Sequence, residues 1–173
     1  MEGKKVRIRP VRRDDLPFLE SWVNNVEILS IFNDFGFEGH NSMESAFEKE
    51  GLISDHQATI IVETLEGEVV GGMSYYQTMV GPREAHRIYG IGLHLSPEHR
   101  GKGYGTEAQI LLADYLFNTY PIARVEAETD VENFAEQRSL EKAGFTREGV
   151  RRKAQWRHGD WHDLILFSKL RGE

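Results

Sequence analysis

The segment RGKGYG, Arg100–Gly105, places a glycine at every second position and carries positive charge on Arg100 and Lys102. An apolar run precedes it, and the apolar spacing of a helix follows from Thr106. The first N–H groups of a helix have no partner within it, and together with the helix dipole they attract anions. Glycines let the backbone curl and approach such a ligand closely. The segment therefore predicts a phosphate site between a strand and a helix, most naturally for a pyrophosphate.

Other phosphate-binding loops fit this segment less well. A Walker A loop requires Lys-Ser or Lys-Thr after its last glycine, and neither follows here. A dinucleotide fingerprint has the spacing G-x-G-x-x-G near the start of a Rossmann domain, whereas this chain has G-x-G-x-G at a late position. The pattern that remains is R-x-x-G-x-G. A basic glycine turn that only caps a helix is the simpler alternative.

Hydrophobic periodicity predicts the elements that position this segment. Strands are predicted at 6–11, 58–64, 69–79, 86–95 and 123–129, followed by a final hairpin that turns at HGDW. Helices are predicted after Asp15, from Ser42 to about Leu52, and at 106–120 and 133–143, with 30–42 as a loop. Gly71 and Gly72 inside the third strand indicate a bulge or a close backbone approach. This order predicts a mixed α/β domain around one twisted sheet.

Composition limits the class of protein. The chain has 173 residues, of which 39% are hydrophobic and 28% charged, which predicts one globular domain over 1–173. We expect no membrane span and no signal peptide. The absence of cysteine excludes disulfides, thiolate metal sites and a cysteine nucleophile, and it fits a cytoplasmic protein. The net charge of −7 argues against a nucleic-acid partner; it would attract cationic small molecules or simply maintain solubility.

Two further motifs accompany the glycine segment, which extends to GLHLSPEHRGKGYGTEA. They are NFAEQRSLEKAGF at 133–145 and the tail REGVRRKAQWRHGDWHDLILFSKL at 147–170. Together the three motifs resemble the GNAT family of acyl-CoA-dependent N-acyltransferases, and more loosely its branch of ribosomal-protein and amino-acid N-acetyltransferases. The resemblance implies the GNAT fold, with a central twisted sheet of about seven strands and flanking helices. It also implies acetyl-CoA as the co-substrate.

The resemblance assigns residues to the co-substrate. In this family the pyrophosphate lies on the glycine turn, and pantetheine runs beside the splayed end of the fourth strand like an added strand. A backbone N–H of that strand would stabilise the oxyanion. Asn133 resembles the asparagine that contacts the pantetheine arm, and it is equally suited to cap a helix. The residues assigned to acetyl-CoA are Leu93, Leu95, Arg100, Gly101, Lys102, Gly103, Tyr104, Gly105, Thr106 and Asn133.

The implied reaction is direct attack of a primary amine on the thioester, without a covalent enzyme intermediate. A free alkyl ammonium titrates near ~10, so the amine requires a base or a water chain. The candidates for the base are Tyr89, His94, Glu128 and Asp130. Tyr89 and His94 would lie on opposite faces of a regular strand. Glu128 and Asp130 would lie at the end of the fifth strand, next to the splayed gap.

The acid that protonates the leaving thiolate is not assigned by the resemblance. Many family members carry a tyrosine two residues before the lysine of EK-x-GF, where this chain has Leu140. The related branch often has serine three residues after the asparagine, where this chain has Glu136. Ser139 stands beside Leu140.

The acceptor side is predicted to involve Phe32, Asp34, Phe35 and Trp156. An aromatic and acidic lid would suit a cation, and a loop that merely closes the core is the alternative. The resemblance implies a primary amine as the acceptor, with a protein N-terminus, an amino acid or amino sugar, or a polyamine as the candidates; the resemblance favours the first and the acidic charge a cationic small molecule.

The function predicted is N-acetyl transfer, and two other functions use the same residues. One is a CoA sensor on this fold without catalysis, and the other is a plain phosphate binder. We expect no metal, because the histidines lack ligand spacing and amide formation from a thioester needs none. The resemblance to this branch also suggests a homodimer.

Overall fold

The computed structural model describes residues 1–39, 41–83 and 87–173. His86, the predicted first residue of the fourth strand, lies outside the described residues.

One seven-stranded sheet runs through the molecule in the order β1-β2-β3-β4-β5-β7-β6. The parallel neighbours are β4 and β5, and the other adjacent pairs run antiparallel. The mixed α/β fold is thus confirmed. The strands are β1 Val6–Pro10, β2 Gln57–Thr64, β3 Val69–Met79, β4 Arg87–Leu95, β5 Arg124–Asp130, β6 Thr146–Arg157 and β7 Asp160–Leu170.

The helices are α1 Leu16–Glu20, α2 Val26–Asn33, α3 Ser42–Glu50, α4 Tyr104–Thr119 and α5 Phe134–Lys142. The prediction of a loop over 30–42 is wrong at its start, because α2 extends through Asn33. The side chain of Asn25 caps α2 by accepting hydrogen bonds from the N–H groups of Glu27 and Ile28. Ser30 breaks the helix with φ 58° and ψ 176°, which obscures helical periodicity in the sequence.

Both faces of the sheet are covered. Leu112 and Leu116 of α4 are fully buried in the larger core, together with Val125 of β5. A smaller core on the opposite face joins α1 to Ile61 of β2. Alternation along each strand divides the side chains between the two faces, as the pleat requires.

The sheet opens between β4 and β5. These strands pair over Tyr89–Ile91 and Val125–Ala127. Beyond that point β4 continues along β3 as far as Leu95, while β5 continues along β7 as far as Asp130. The result is a wedge between two strands that are each held firmly on their other side.

Gly71 lies where the backbone of β3 approaches β4 most closely. A Cβ at this position would lie 2.4 Å from the His94 carbonyl oxygen and 3.2 Å from the Leu95 Cα. The pairing of β2 with β3 also shifts register between Val62 and Glu63, beside this glycine. The predicted bulge and close approach are both confirmed, and they fix the end of β4 that borders the wedge.

We expect Gly71→Ala to lower the free energy of unfolding by about 1–3 kcal/mol, because the added methyl forces apart the paired backbones of β3 and β4. Gly149→Ala is the matched control, since no atom lies within 4 Å of a Cβ at this β6 position. Urea unfolding of both variants checks the prediction. Equal stability losses in the two proteins would contradict it.

Candidate active site

A groove of about 700 Å³ lies at the open end of the wedge. Its walls are the last residues of β4, the glycine turn with the start of α4, one face of α5, and α2. The groove brings together most of the residues assigned to acetyl-CoA. These are Leu93, Leu95, Arg100, Gly101, Gly103, Gly105, Thr106 and Asn133.

The three glycines of the turn are needed for different reasons. Gly101 and Gly103 have φ of 75° and 83°, in the left-handed region that favours glycine. Gly103 is the N-cap residue of α4, so the free N–H groups of the first turn follow directly. A Cβ at Gly105 would lie 2.7 Å from Leu93 Cδ2, so this glycine permits close packing of α4 on β4.

Lys5 brings a third positive charge to the turn, and sequence analysis missed it. Its Nζ donates a hydrogen bond to the Lys102 carbonyl oxygen at 2.9 Å and lies 3.0 Å from the position of a Cβ on Gly103. The ammonium is therefore placed where a phosphate on the turn would lie. Because Lys5 and Gly103 are far apart in the chain, no local sequence pattern connects them.

Glu107 positions Lys5. Its carboxylate accepts the backbone N–H groups of Lys4, Lys5 and Val6 at 2.8, 2.7 and 2.8 Å. Burial alone would raise the pKa of this carboxyl, but the three N–H donors bring it below its usual value. Glu107 thus fastens the start of β1 to the first turn of α4.

Arg100 faces the groove but is already engaged. Its Nε donates to the Leu95 carbonyl oxygen at 3.0 Å, and its Nη2 donates to the Ile28 carbonyl oxygen at 2.7 Å. The guanidinium thereby joins the end of β4 to α2 across the groove. Its charge remains near the turn, while two of its donors hold the rim together.

Asn133 and a short polar network form the α5 wall. The Asn133 side chain accepts from the Glu136 N–H at 3.3 Å, which confirms the predicted helix cap. Ser139 Oγ donates to Gln109 Oε1 at 3.0 Å, and Gln109 Nε2 donates to Glu136 Oε1 at 2.5 Å. Burial raises the pKa of Glu136 to about 7 against the opposing effect of the Gln109 hydrogen bond. Sequence analysis gave this carboxyl group no role.

Of the four candidate bases, His94 lines the groove. Its ring centroid lies 6.3 Å from that of Trp22. Burial, and secondarily the charge of Arg100, lower the pKa of His94 below its usual value. The imidazole is therefore neutral at neutral pH and able to accept a proton.

The structure corrects the placement of Tyr89. This residue is fully buried, and its hydroxyl donates to the Asp55 carbonyl oxygen at 2.5 Å. Its ring packs edge-on against Tyr75 at 5.5 Å between centroids and lies 4.8 Å from the ring of Tyr120. Tyr89 shares a face of β4 with Leu93 and Leu95, but it lies where β4 is still paired with β5, so its side chain is in the core and does not line the groove.

Glu128 and Asp130 lie at the end of β5 as predicted, but both carboxylates already hold cations. Glu128 Oε1 lies 2.6 Å from Arg151 Nη1. Asp130 is buried, forms an ion pair with Arg157 and lies 3.2 Å from His162 Nδ1. Neither lines the groove as the structure describes it. These ion pairs engage both carboxylates, and their role as the base stays a prediction.

The predicted acceptor residues separate into two groups. Phe32 lines the groove, with the Arg157 guanidinium carbon 6.0 Å from its ring centroid. Asp34 lies 3.8 Å from His158 Nε2, Phe35 is 61% exposed, and Trp156 packs on Trp161 at 5.5 Å between centroids. Asp34 and Trp156 therefore lie near the β6–β7 turn, and Phe35 is largely exposed.

No group of three or more His, Asp or Glu side chains is placed to hold a metal ion within 1–39, 41–83 and 87–173. None of the helices in this part of the chain combines the length and apolar character needed to cross a bilayer.

Comparisons with known proteins identify the family. The family described as acetyltransferase (GNAT) domain matches residues 5–146. The probable N-acetyltransferase YjcK of Bacillus subtilis (strain 168) is 28% identical over 179 residues, covering 98% of this chain and 96% of that protein. The spermidine N(1)-acetyltransferase of Escherichia coli (strain K12) is 26% identical over 160 residues, covering 92% and 83%.

The fold is also found in a solved structure of RimL, a ribosomal L7/L12 alpha-N-protein acetyltransferase in complex with coenzyme A. The TM-score is 0.80 at 18% identity, and the alignment covers 97% of this chain and 95% of that one. The matched family domain spans β1, the glycine turn, the wedge and α5. This chain therefore belongs to the GNAT family of N-acetyltransferases.

Proposed function

We propose that this enzyme transfers the acetyl group of acetyl-CoA to a primary alkylamine of polyamine type. The observation that carries the proposal is the glycine turn at the N-terminus of α4, opening directly into the wedge between β4 and β5. The N–H groups of the turn and Lys5 Nζ suit a pyrophosphate. The free edge of β4 beyond Ile91 suits an extended amide chain such as pantetheine.

Catalysis would use few side chains. Backbone N–H groups near Leu93 are placed to stabilise the oxyanion that forms when the amine attacks the thioester carbonyl. His94 is the proposed base, because it lines the groove and its imidazole is neutral. The amine nitrogen transfers a proton to His94 as the C–N bond forms, and the C–S bond then breaks.

Two features support a polyamine acceptor over the other amines. The formal net charge is −7, which attracts a polycation over long range. The relative named spermidine N(1)-acetyltransferase aligns with 92% of this chain. A protein N-terminus is the second candidate, suggested by the fold shared with a ribosomal-protein acetyltransferase. The homodimer and the cytoplasmic location stay predictions.

We expect Gly103→Val to weaken acetyl-CoA binding by roughly tenfold or more, because a side chain there displaces Lys5 Nζ and fills the space for the pyrophosphate. Gly159→Val is the matched control: its φ of 81° nearly equals the 83° of Gly103, and no atom lies within 4 Å of its Cβ position. Calorimetric titration of both variants separates backbone strain from lost binding. Equal affinity in the two folded proteins would refute the glycine-turn assignment.

We expect His94→Gln to lower kcat about 10²-fold and to abolish the rise of kcat with pH below 6.5. The sign follows from the lowered pKa: the base form is lost only as the pH falls through a value below the ordinary one. The measurement is kcat against pH from 5 to 9 with saturating amine. A variant that keeps the acidic limb would remove His94 as the base.

The first assay is release of CoA thiol from acetyl-CoA with a panel of amines. We expect release with spermidine and spermine to exceed release with peptides, amino acids and aminoglycosides. Greater release with peptides would show that the acceptor is not a polyamine, and it would leave the proposed acetyl transfer unchanged. Tight acetyl-CoA binding without release for any amine would favour a CoA sensor. Equal affinities for pyrophosphate and for acetyl-CoA would favour a plain anion site.

A further inference from the structure

A carboxylic acid stands in the α5 wall of the groove, and the reaction as described so far does not use it. Glu136 lies one turn beyond the Asn133 cap, and its side chain lines the groove. The contact Thr106–Ser139 and the contact Gln109–Glu136 show that α4 and α5 run antiparallel here. Glu136 therefore lies one helical turn farther from the glycine turn than Ser139 does.

The proton on this carboxyl group has a defined place. Ser139 Oγ donates to Gln109 Oε1 at 3.0 Å, so the Gln109 amide nitrogen faces Glu136. That nitrogen donates to Glu136 Oε1 at 2.5 Å. Gln109 is 1% exposed, and in this orientation of its amide both hydrogen bonds form. A proton on Glu136 is therefore directed to Oε2, because Oε1 is occupied as an acceptor.

Expulsion of CoA is faster when a proton donor lies beside the sulfur. An alkyl thiol titrates near ~8.5, so its thiolate leaves faster when it is protonated as the C–S bond breaks. Leu140, one turn beyond Glu136 on α5, is fully buried and carries no proton to give. Ser139 and Thr106 have hydroxyls in the same network but titrate far above neutral pH.

We propose that Glu136 is the catalytic acid that protonates the CoA sulfur, an assignment that rests on the proposed acetyl transfer. The tetrahedral intermediate collapses, the C–S electron pair moves to sulfur, and the sulfur takes the proton from Glu136. The products are the acetamide, CoA thiol and the Glu136 carboxylate. The carboxylate regains a proton from solvent as the thiol departs, which balances the proton that the amine gave to the base.

The surroundings favour the protonated acid. Burial raises the pKa of Glu136 to about 7, which favours the protonated acid far more than in water. The charged and titratable groups around the same groove are Lys5, His94, Arg100, Glu107, Arg138 and Lys142. The shift arises from burial, and the Gln109 hydrogen bond opposes it.

The test is the single-turnover rate of thiol release against pH, with saturating amine, in the wild type and in Glu136→Gln. For the wild type we expect the rate to fall as the pH rises through about 7, because Glu136 loses its proton. Glu136→Gln should lose at least about 10²-fold at pH 6.5 and lose this descending limb. Its acetyl-CoA affinity should stay within about threefold, since the amide matches the neutral acid in shape.

Glu141→Gln is the matched control, because it makes the same change on the exposed surface of α5. It should behave as the wild type. Folding is checked by thermal unfolding at pH 6 and pH 8. Since burial raises the folded pKa of Glu136, its contribution to stability is present at low pH and is lost as the pH rises through about 7. Glu136→Gln should therefore gain in melting temperature relative to the wild type at pH 8.

Three results would overturn the assignment. A folded Glu136→Gln enzyme with the wild-type rate and descending limb would show that another group protonates the sulfur. Weaker acetyl-CoA binding with an unchanged single-turnover rate would make Glu136 a binding contact. Absence of thiol release in the wild type with every amine would overturn the proposed function and this inference together, whereas the first two results leave the transferase intact.

Discussion

The divergence of β4 from β5 is the constraint on which the site depends. Pairing of the two strands stops at Ile91 and Ala127, so the facing backbone groups beyond lack a partner on the adjacent strand. Such an edge is a template for an extended ligand that supplies the missing hydrogen bonds. The groove is therefore opened by the topology of the sheet, and the side chains along it can be ordinary ones such as Leu93 and Leu95. On the other side of β4, the lack of a Cβ on Gly71 lets β3 pair closely with the end of β4 and hold it in place.

A buried ion pair holds the other side of the wedge. Arg157 pairs with Asp130 at the end of β5 and also donates to the Ile31 carbonyl oxygen of α2 at 2.5 Å. One guanidinium thus joins the end of β6 to the end of β5 and to α2. Losing one partner of such a pair costs about 3–5 kcal/mol, because the other charge stays buried without compensation. Asp130, which stands where a base was expected, therefore also has this structural task.

The parts of the site that lie in one continuous segment could be predicted from the sequence. The glycine turn, the strand before it and the helix after it follow from local rules of backbone geometry. The limits of β3 agree with the prediction, since apolar runs and turn residues mark them clearly. Lys5 and Glu107 could not be predicted, because their roles arise from contacts between the first strand and the fourth helix. The position of Tyr89 could be predicted in part. Alternation placed it on the face of β4 opposite His94, but only the packing of α4 shows which face belongs to the core.

Burial in the groove favours the neutral forms of two titratable groups, Glu136 and His94, more than water does. In water a glutamate is ionised at neutral pH, and a histidine is divided between its two forms. Inside the groove the charged form of each is disfavoured, so the pKa of Glu136 rises while the pKa of His94 falls. One physical cause thus leaves an acid that still holds a proton and a base that is ready to take one. The two groups stand on different walls, on α5 and on β4, which allows one to serve the sulfur and the other the amine without exchanging a proton directly. A direct amine-to-thioester transfer would need both functions at the same pH, and desolvation in this groove favours both.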